Sequence, residues 1–321
     1  MKRNLLIGSI VSAFFLYLAL RDIEWDVLWG VLRETRLSYL LPAVVVSLVS
    51  HYFRAYRWKF MLLPVKTITT NSLFSATMIG LMGNNLLPAR LGEIVRAYAL
   101  GRREQISRTA AFATIVYERI VDVFSLLVLL WIVLAKIPGP DWLGRSALWL
   151  LVANVLLMFA MIAMERHRGL VTRLVARASR RLSENTQAKI QQATEGYLGG
   201  LAGMMRPRTL LPIAVTSVAT WGFAMFAVYL CFGALGIDVP VMASATLVVV
   251  IAMGSMIPSA PAHLGTTQYA CVLGLGLFGI GKSEALAYSI LFHALQFFPV
   301  TILGLYYLWR AEIRLRDISS R

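Results

Sequence analysis

Pro88-Ala89-Arg90-Leu91-Gly92 and Pro261-Ala262-His263-Leu264-Gly265 share four of five residues, and each directly follows an apolar run. A chance likeness between leucine-rich segments would not keep register over a long distance. Here the register is kept. Leu40-Leu41-Pro42 and Leu210-Leu211-Pro212 open the apolar segments upstream, with Val45 matching Val215 and Ser47 matching Ser217. The offset is 170 at the first pair (Pro42 to Pro212) and 173 at the second (Pro88 to Pro261), so the halves differ by a three-residue insertion. The chain therefore reads as an internal duplication, with repeat 1 over about 38–135 and repeat 2 over about 209–309.

With 58% hydrophobic residues in 321, the chain carries more apolar surface than one soluble core can hide. Six segments look able to cross a membrane: about 4–20, 38–60, 108–135, 146–164, 209–235 and 284–309. Lys and Arg exceed Asp and Glu by 31 to 16, a net charge of +15. The basic residues sit at the ends of apolar segments and in one hydrophilic loop, without the aromatic interleaving of a nucleic-acid platform. No nucleic-acid partner is expected. Cys231 and Cys271 lie inside apolar segments with no neighbouring Cys or His, so inert buried thiols are expected and neither a metal nor any other cofactor is. Lys2-Arg3 followed by Leu5 to Leu20 resembles a signal peptide, but no small-x-small cleavage site follows, which makes it an uncleaved first span.

Two further apolar segments do not read as simple spans. Residues 71–87 run into Asn84-Asn85, break at Pro88, and continue as a short stretch carrying Arg90, Glu93 and Arg96. That second limb is too short and too charged to cross alone. Its counterpart runs from Val241 to Ile257, breaks at Pro258-Ser259-Ala260-Pro261, and resumes through His263, Thr266, Thr267 and Gln268. Helix, break, helix predicts a re-entrant hairpin in each half, the freed backbone groups buried in protein or lining a wet cavity. Ordinary proline-kinked spans are the alternative.

Basic clusters at 54–66, 96–108, 165–208 and 310–321 alternate with balanced or acidic turns, and mark the cytoplasmic side. The segment at 38–60 then runs outside to inside and its partner at 209–235 runs inside to outside, so the repeats are inverted in topology. Both termini are cytoplasmic in this reading. The loop 165–207, with apolar spacing at Leu170, Leu174, Ala178 and Leu182, predicts a cytoplasmic amphipathic helical insert at the membrane interface. The expected fold is an all-α polytopic membrane protein, with about six spanning helices and two re-entrant helical hairpins arranged as inverted repeats.

Broken helices meeting near the midplane are how many secondary transporters build a site that opens to either side in turn, and their N-termini suit a phosphate or carboxylate. Candidate substrate-binding residues follow. Asn84 and Asn85 precede the break. Arg90, Glu93 and Arg96 recur at three-residue spacing, so one short helix face holds Arg, Glu and Arg, and an arginine fork grips phosphate oxygens in bidentate fashion. Arg96 reaching to cytoplasmic headgroups, with Arg90 and Glu93 paired structurally, is the alternative. In the next span Glu118, Arg119 and Asp122 share a face, at a depth where unpaired charge costs several kcal/mol. They either neutralise the arginines as a fixed network or, at Glu118, exchange protons. The second half offers His263, Gln268, His293 and Gln296, with His263 matching Arg90 in the repeat. For catalysis the sequence is poor: it has no Gly-x-Ser-x-Gly, no phosphate-binding glycine loop followed by Lys, and no His-Glu-x-x-His.

The run Asn84-Asn85-Leu86-Leu87-Pro88-Ala89-Arg90-Leu91-Gly92-Glu93-Ile94-Val95-Arg96-Ala97-Tyr98, with Glu118-Arg119-Ile120-Val121-Asp122 after it, resembles the signature of the lysylphosphatidylglycerol synthase transmembrane-region family. That family includes the flippase-like portion of the bacterial multiple peptide resistance factor, and the resemblance covers nearly the whole chain. It implies a stand-alone flippase of the cytoplasmic membrane that moves an anionic phospholipid or a polyprenyl-phosphate-linked lipid between leaflets, its headgroup at the hairpin tips. The chain ends at Arg321 soon after the last span, so an aminoacyltransferase activity is not expected. Membrane lipids are the expected partners, and a homodimer is compatible with the resemblance. The alternative function is an accessory scaffold for a cell-envelope glycosyltransferase or a lipid-modifying enzyme. A membrane-embedded transferase is the third.

Overall fold

The computed structural model describes residues 2–87, 91–137, 141–202, 207–257 and 259–311, so Pro88, Ala89 and Arg90 of the first motif and Pro258 of the second lie outside the described residues. Every regular element among the described residues is helical: α1 (Lys2–Leu20), α2 (Trp25–Arg33), α3 (Leu40–Leu62), α4 (Thr70–Leu86), α5 (Gly92–Glu104), α6 (Arg108–Leu134), α7 (Asp141–Arg166), α8 (Arg168–Ser179), α9 (Glu184–Leu201), α10 (Pro207–Leu235), α11 (Val241–Met256), α12 (Thr266–Gly276) and α13 (Lys282–Arg310). Short 3-10 turns at Leu37–Tyr39 and Pro261–His263 complete the framework.

Four helical segments are long and apolar enough to cross a bilayer by length and composition: Leu37–Leu62, Gly144–Arg166, Arg208–Leu235 and Lys282–Arg310. At 27 residues α6 is as long, about 40 Å at 1.5 Å per residue, but it carries Glu118, Arg119 and Asp122 midway. The molecule is an all-α polytopic membrane protein. Long, short, short and long helices follow one another twice: α3 to α6 run to 23, 17, 13 and 27 residues, and α10 to α13 to 29, 16, 11 and 29.

In each set the two short helices fold back on one another. A Cβ added to Gly80 of α4 would stand 2.7 Å from Cβ of Arg96, and one added to Gly83 would stand 2.8 Å from Cα of Gly92. Glycine is therefore required for α4 and α5 to touch along antiparallel axes. On the other side, Gly254 of α11 faces Thr266 and Ala270 of α12, while Gly274 of α12 faces Leu247 and Val250 of α11. The same antiparallel pairing results. Neither return limb can cross a membrane, since α5 and α12 are only about 20 and 17 Å long.

The turn of the second hairpin is strained. Ala262 and His263 hold left-handed backbone at φ 59° and 56°, and Gly265 follows at φ 84°. Such values cost a non-glycine residue about 1 kcal/mol or more. They persist because the turn is held from outside: Ala260 N–H donates to Ser12 Oγ of α1 at 2.8 Å, and Gly265 N–H donates to Gln268 Oε1 at 2.7 Å. Helix α4 of the first hairpin packs against this turn.

Between the two sets, α3 and α10 form the most extensive helix contact. They run antiparallel: Arg36 N–H donates to the carbonyl of Ala234, while at the far end Arg57 Nη1 donates to Ser217 Oγ. Midway, Ser50 Oγ donates to the carbonyl of Thr220 at 2.8 Å, and Phe53 stacks on Phe223 with ring centroids 5.2 Å apart. Both pairs join positions separated by 170, the offset of the sequence repeat. The segment between the sets is a helical pair in which α9 docks on α6, its Gly200 against Ala110 and Ala113, while α8 leaves Leu170 and Leu174 exposed.

Candidate functional site

The charges gather where α3, α5 and α6 meet. On α3 the residues Ser47, Ser50, Arg54 and Arg57 recur every three or four positions and line one face. Arg54 Nε lies 2.6 Å from Glu118 Oε1 and its Nη2 lies 3.1 Å from Asp122 Oδ2. Arg57 Nη2 lies 2.5 Å from Asp122 Oδ1 and 3.8 Å from Glu118. From α5, Arg96 Nη1 lies 2.9 Å from Glu118 Oε2, and its guanidinium carbon sits 3.7 Å from the ring centre of Trp58. The indole of Trp58 donates in turn to Thr114 Oγ1 at 2.8 Å, which fixes the platform.

Arg119 completes the cluster. It reaches Glu93 Oε1 at 3.4 Å, Glu118 Oε1 at 3.4 Å and Asp122 Oδ2 at 3.5 Å. Exposure grades across the site: the side chains of Arg57 and Glu118 are 0% exposed, whereas Glu93 and Arg119 reach 19% and 36%. The cluster is dry at the α3–α10 seam and open at the Glu93–Arg119 edge.

Charge and hydrogen bonding are both unbalanced. Arg54, Arg57, Arg96 and Arg119 stand against Glu93, Glu118 and Asp122, an excess of one positive charge among these residues. Nε and Nη2 of Arg96, Nε of Arg57 and Oδ1 of Asn84 are buried without a hydrogen-bond partner among the described residues. Glu118 Oε2 is close enough to Arg96 for an ion pair but receives no aligned hydrogen. Each unmet buried group costs about 1–3 kcal/mol, more when charged. An anion with several acceptor oxygens would offset the charge excess and meet the open arginine donors, though not the acceptor Asn84 Oδ1.

Several sequence expectations need revision here. Arg54 and Arg57 belong to the 54–66 cluster that the sequence assigns to the membrane surface, yet both turn inward, because Glu118 and Asp122 would otherwise lie buried and unpaired. Neither figures among the sequence-derived site residues, although the polar stripe from Ser47 to Arg57 was a legible signal. Arg96 does not reach headgroups; it is 2% exposed. Its carboxylate partner is Glu118, while Glu93 pairs with Arg119. Arg90 lies outside the described residues.

In the second set, His263 Nδ1 lies 3.4 Å from Ser259 Oγ, and Gln268 Nε2 lies 3.5 Å from His293 Nδ1. These groups lie on the second set, at its turn and on α12 and α13. Gln296 instead joins the α3 stripe, accepting from Ser47 Oγ at 3.0 Å and bonding His51, and Asn85 Nδ2 donates to Thr301 Oγ1 of α13 at 3.0 Å. Cys231 and Cys271 are free and buried. Among the described residues no group of three or more His, Cys, Asp or Glu is arranged to hold a metal ion.

Residues 5–304 match the family model described as the lysylphosphatidylglycerol synthase TM region. The chain belongs to this family. Two archaeal membrane proteins resemble it over most of their length. A UPF0104 membrane protein of Methanothermobacter thermautotrophicus is 25% identical over 85% of this chain and 85% of its own. UPF0104 membrane protein MJ1595 of Methanocaldococcus jannaschii is 24% identical over 92% of this chain and 91% of its own. Glycosyltransferase AglD of Haloferax volcanii is 23% identical over 92% of this chain but only 52% of its own, so the family region makes up about half of that protein.

Proposed function

We propose that this family member is a lipid translocase of the cytoplasmic membrane, carrying an anionic phospholipid or a polyprenyl-phosphate-linked lipid between leaflets. The observation that carries the reading is the buried arginine cluster, whose cation excess and unmet donors on Arg96 suit a phosphate group. In this reading Arg54, Arg57, Arg96 and Arg119 hold the headgroup. Glu93, Glu118 and Asp122 balance the arginines when the site is empty. His263 and Gln268 shape the opposite gate. The protein is then a transporter and not an enzyme.

An inverted repeat supports the same conclusion. A two-fold axis lying in the membrane plane makes equivalent helices cross antiparallel and touch at equivalent residues, as α3 and α10 do at Ser50–Thr220 and Phe53–Phe223. With the basic segments inside, the α4–α5 hairpin enters from the cytoplasm, the α11–α12 hairpin enters from the opposite side, and both termini are cytoplasmic. Each hairpin presents a helix N-terminus to the midplane.

The test is leaflet exchange in proteoliposomes of purified protein, followed with headgroup-labelled phosphatidylglycerol. Wild type accelerates exchange, and Arg96→Gln, which removes the charge and keeps a polar amide, brings it down to the protein-free rate. No acceleration by wild type would overturn the reading. The match to half of a glycosyltransferase favours a second reading, an accessory membrane module for such an enzyme. In that case exchange is unaffected, and a glycosyltransferase in the same membrane loses activity when this chain is deleted.

A further inference from the structure

Outside the charged cluster, a groove of about 520 Å³ lies between α6 and α10. Its walls are Phe124, Val128 and Ile132 on α6 and Ala214, Val218 and Gly222 on α10, almost wholly apolar. Phe124, Val128, Ile132 and Val218 are exposed, so the groove opens sideways into the bilayer. Its span along α6, from Tyr117 to Ile132, is about 22 Å.

Ser217 stands midway along the α10 wall of this groove, which runs from Leu210 to Met225, and its Oγ accepts from Arg57 Nη1 at 2.9 Å, while Arg57 is bound in turn to Asp122. The arginine cluster thus meets the groove part-way along its length. One helical turn beyond Ser217, Trp221 lines the groove with Nε1 buried and lacking an acceptor. A buried indole N–H normally finds one. A Cβ added to Gly222 meets nothing within 4 Å, so the recess beside Trp221 is vacant of protein atoms.

We propose that this groove seats one hydrocarbon chain of an anionic lipid whose headgroup occupies the arginine cluster. Trp221 Nε1 donates to an oxygen of the linkage between head and chain. The limb from Ser217 to Met225 matches a lipid read from head to tail: charge at Arg57–Ser217, a donor at Trp221, then the apolar wall of Gly222 and Met225 facing Val128 and Ile132 of α6. The cation excess of the cluster selects an anionic lipid over a zwitterionic one. The inference rests on the translocase reading for the headgroup site, and adds that the chain travels in a fixed path instead of trailing freely in the bilayer.

Phosphatidylglycerol and phosphatidylcholine probes with identical chains, each bearing a mid-chain diazirine, are photolysed in proteoliposomes, and the labelled peptides are mapped by mass spectrometry. Exchange is measured in parallel for wild type, Gly222→Trp on α10 and Val128→Trp on the facing wall. The expected result is labelling of α6 and α10 within the groove, stronger with phosphatidylglycerol, and a drop of about tenfold in labelling and exchange with either tryptophan. Gly222→Leu, a smaller filler, gives the same result in part and is used should a tryptophan lower the melting temperature. Equal labelling by both probes means ordinary boundary lipid and overturns the proposal. So does unaltered exchange in the tryptophan variants, which would leave the translocase reading intact. Dissociation of a dimer by the tryptophans, with lipid labelling elsewhere, makes the groove a contact between copies and also overturns it. Selective groove labelling with no exchange by wild type keeps the lipid seat and removes the translocase instead.

Discussion

Arg57 shows how a residue that looks peripheral in sequence comes to organise a site. It lies in a basic run at the end of an apolar segment, the pattern that usually marks a membrane surface, yet it is wholly enclosed by Asp122 and Ser217. Removing one partner of such a pair strands the other. Arg57→Ala is expected to destabilise by about 3–5 kcal/mol, whereas Arg57→Ala with Asp122→Ala costs clearly less than the single changes added together. Thermal unfolding in a fixed detergent checks this, and additive losses would mean the pair is uncoupled. At the opposite tip, Ala262 at φ 59° carries backbone strain that glycine would not. Ala262→Gly is expected to raise the melting temperature, by up to about 1 kcal/mol in stability, and a fall would show that the left-handed turn needs its Cβ.

Among helices, the glycines divide by what surrounds them. Gly83 of α4 faces the backbone of Gly92 across the hairpin, while Gly30 of α2 faces nothing within 4 Å. Gly30→Ala therefore gains about 0.5–1 kcal/mol from helix propensity, and Gly83→Ala loses about 1–3 kcal/mol as α4 and α5 are forced apart. Comparing the two melting temperatures in one background separates propensity from packing; the same sign for both would contradict the close approach. The interruptions between α4 and α5 and between α11 and α12 were legible at this scale because Pro88 and the Pro258–Pro261 stretch break the apolar runs. The partners of the charges were not. Sequence spacing shows that Arg96 and Glu93 share a helix face, but Arg96 finds Glu118 on α6 and Glu93 finds Arg119, because pairing across helices is set by packing and not by local spacing. Arg54 and Arg57 escaped notice because charge bias at a segment end and an inward-facing polar stripe occupy the same residues, and only the serines at Ser47 and Ser50 tell the two apart.

In the whole molecule, the α3–α10 seam and the hairpin contacts should respond differently to restraint if the halves rock about a common axis. A motion that pivots on the seam leaves its contacts in place, among them the bond from Ser50 Oγ to the carbonyl of Thr220. Asn85 of α4 and Thr301 of α13 join a hairpin of one set to a long helix of the other, away from the seam, through a 3.0 Å hydrogen bond. Rigid rocking of one repeat against the other must change that distance. In a Cys231→Ala, Cys271→Ala background, cysteines at 85 and 301 joined by a short reducible thiol cross-linker are expected to stop leaflet exchange, and reduction restores it. The same linker between cysteines at 50 and 220 leaves exchange close to that of the unlinked variant. Loss of exchange with both pairs would mean that the seam itself slides, and loss with neither would mean that the charged pocket opens without any movement of the first hairpin against α13.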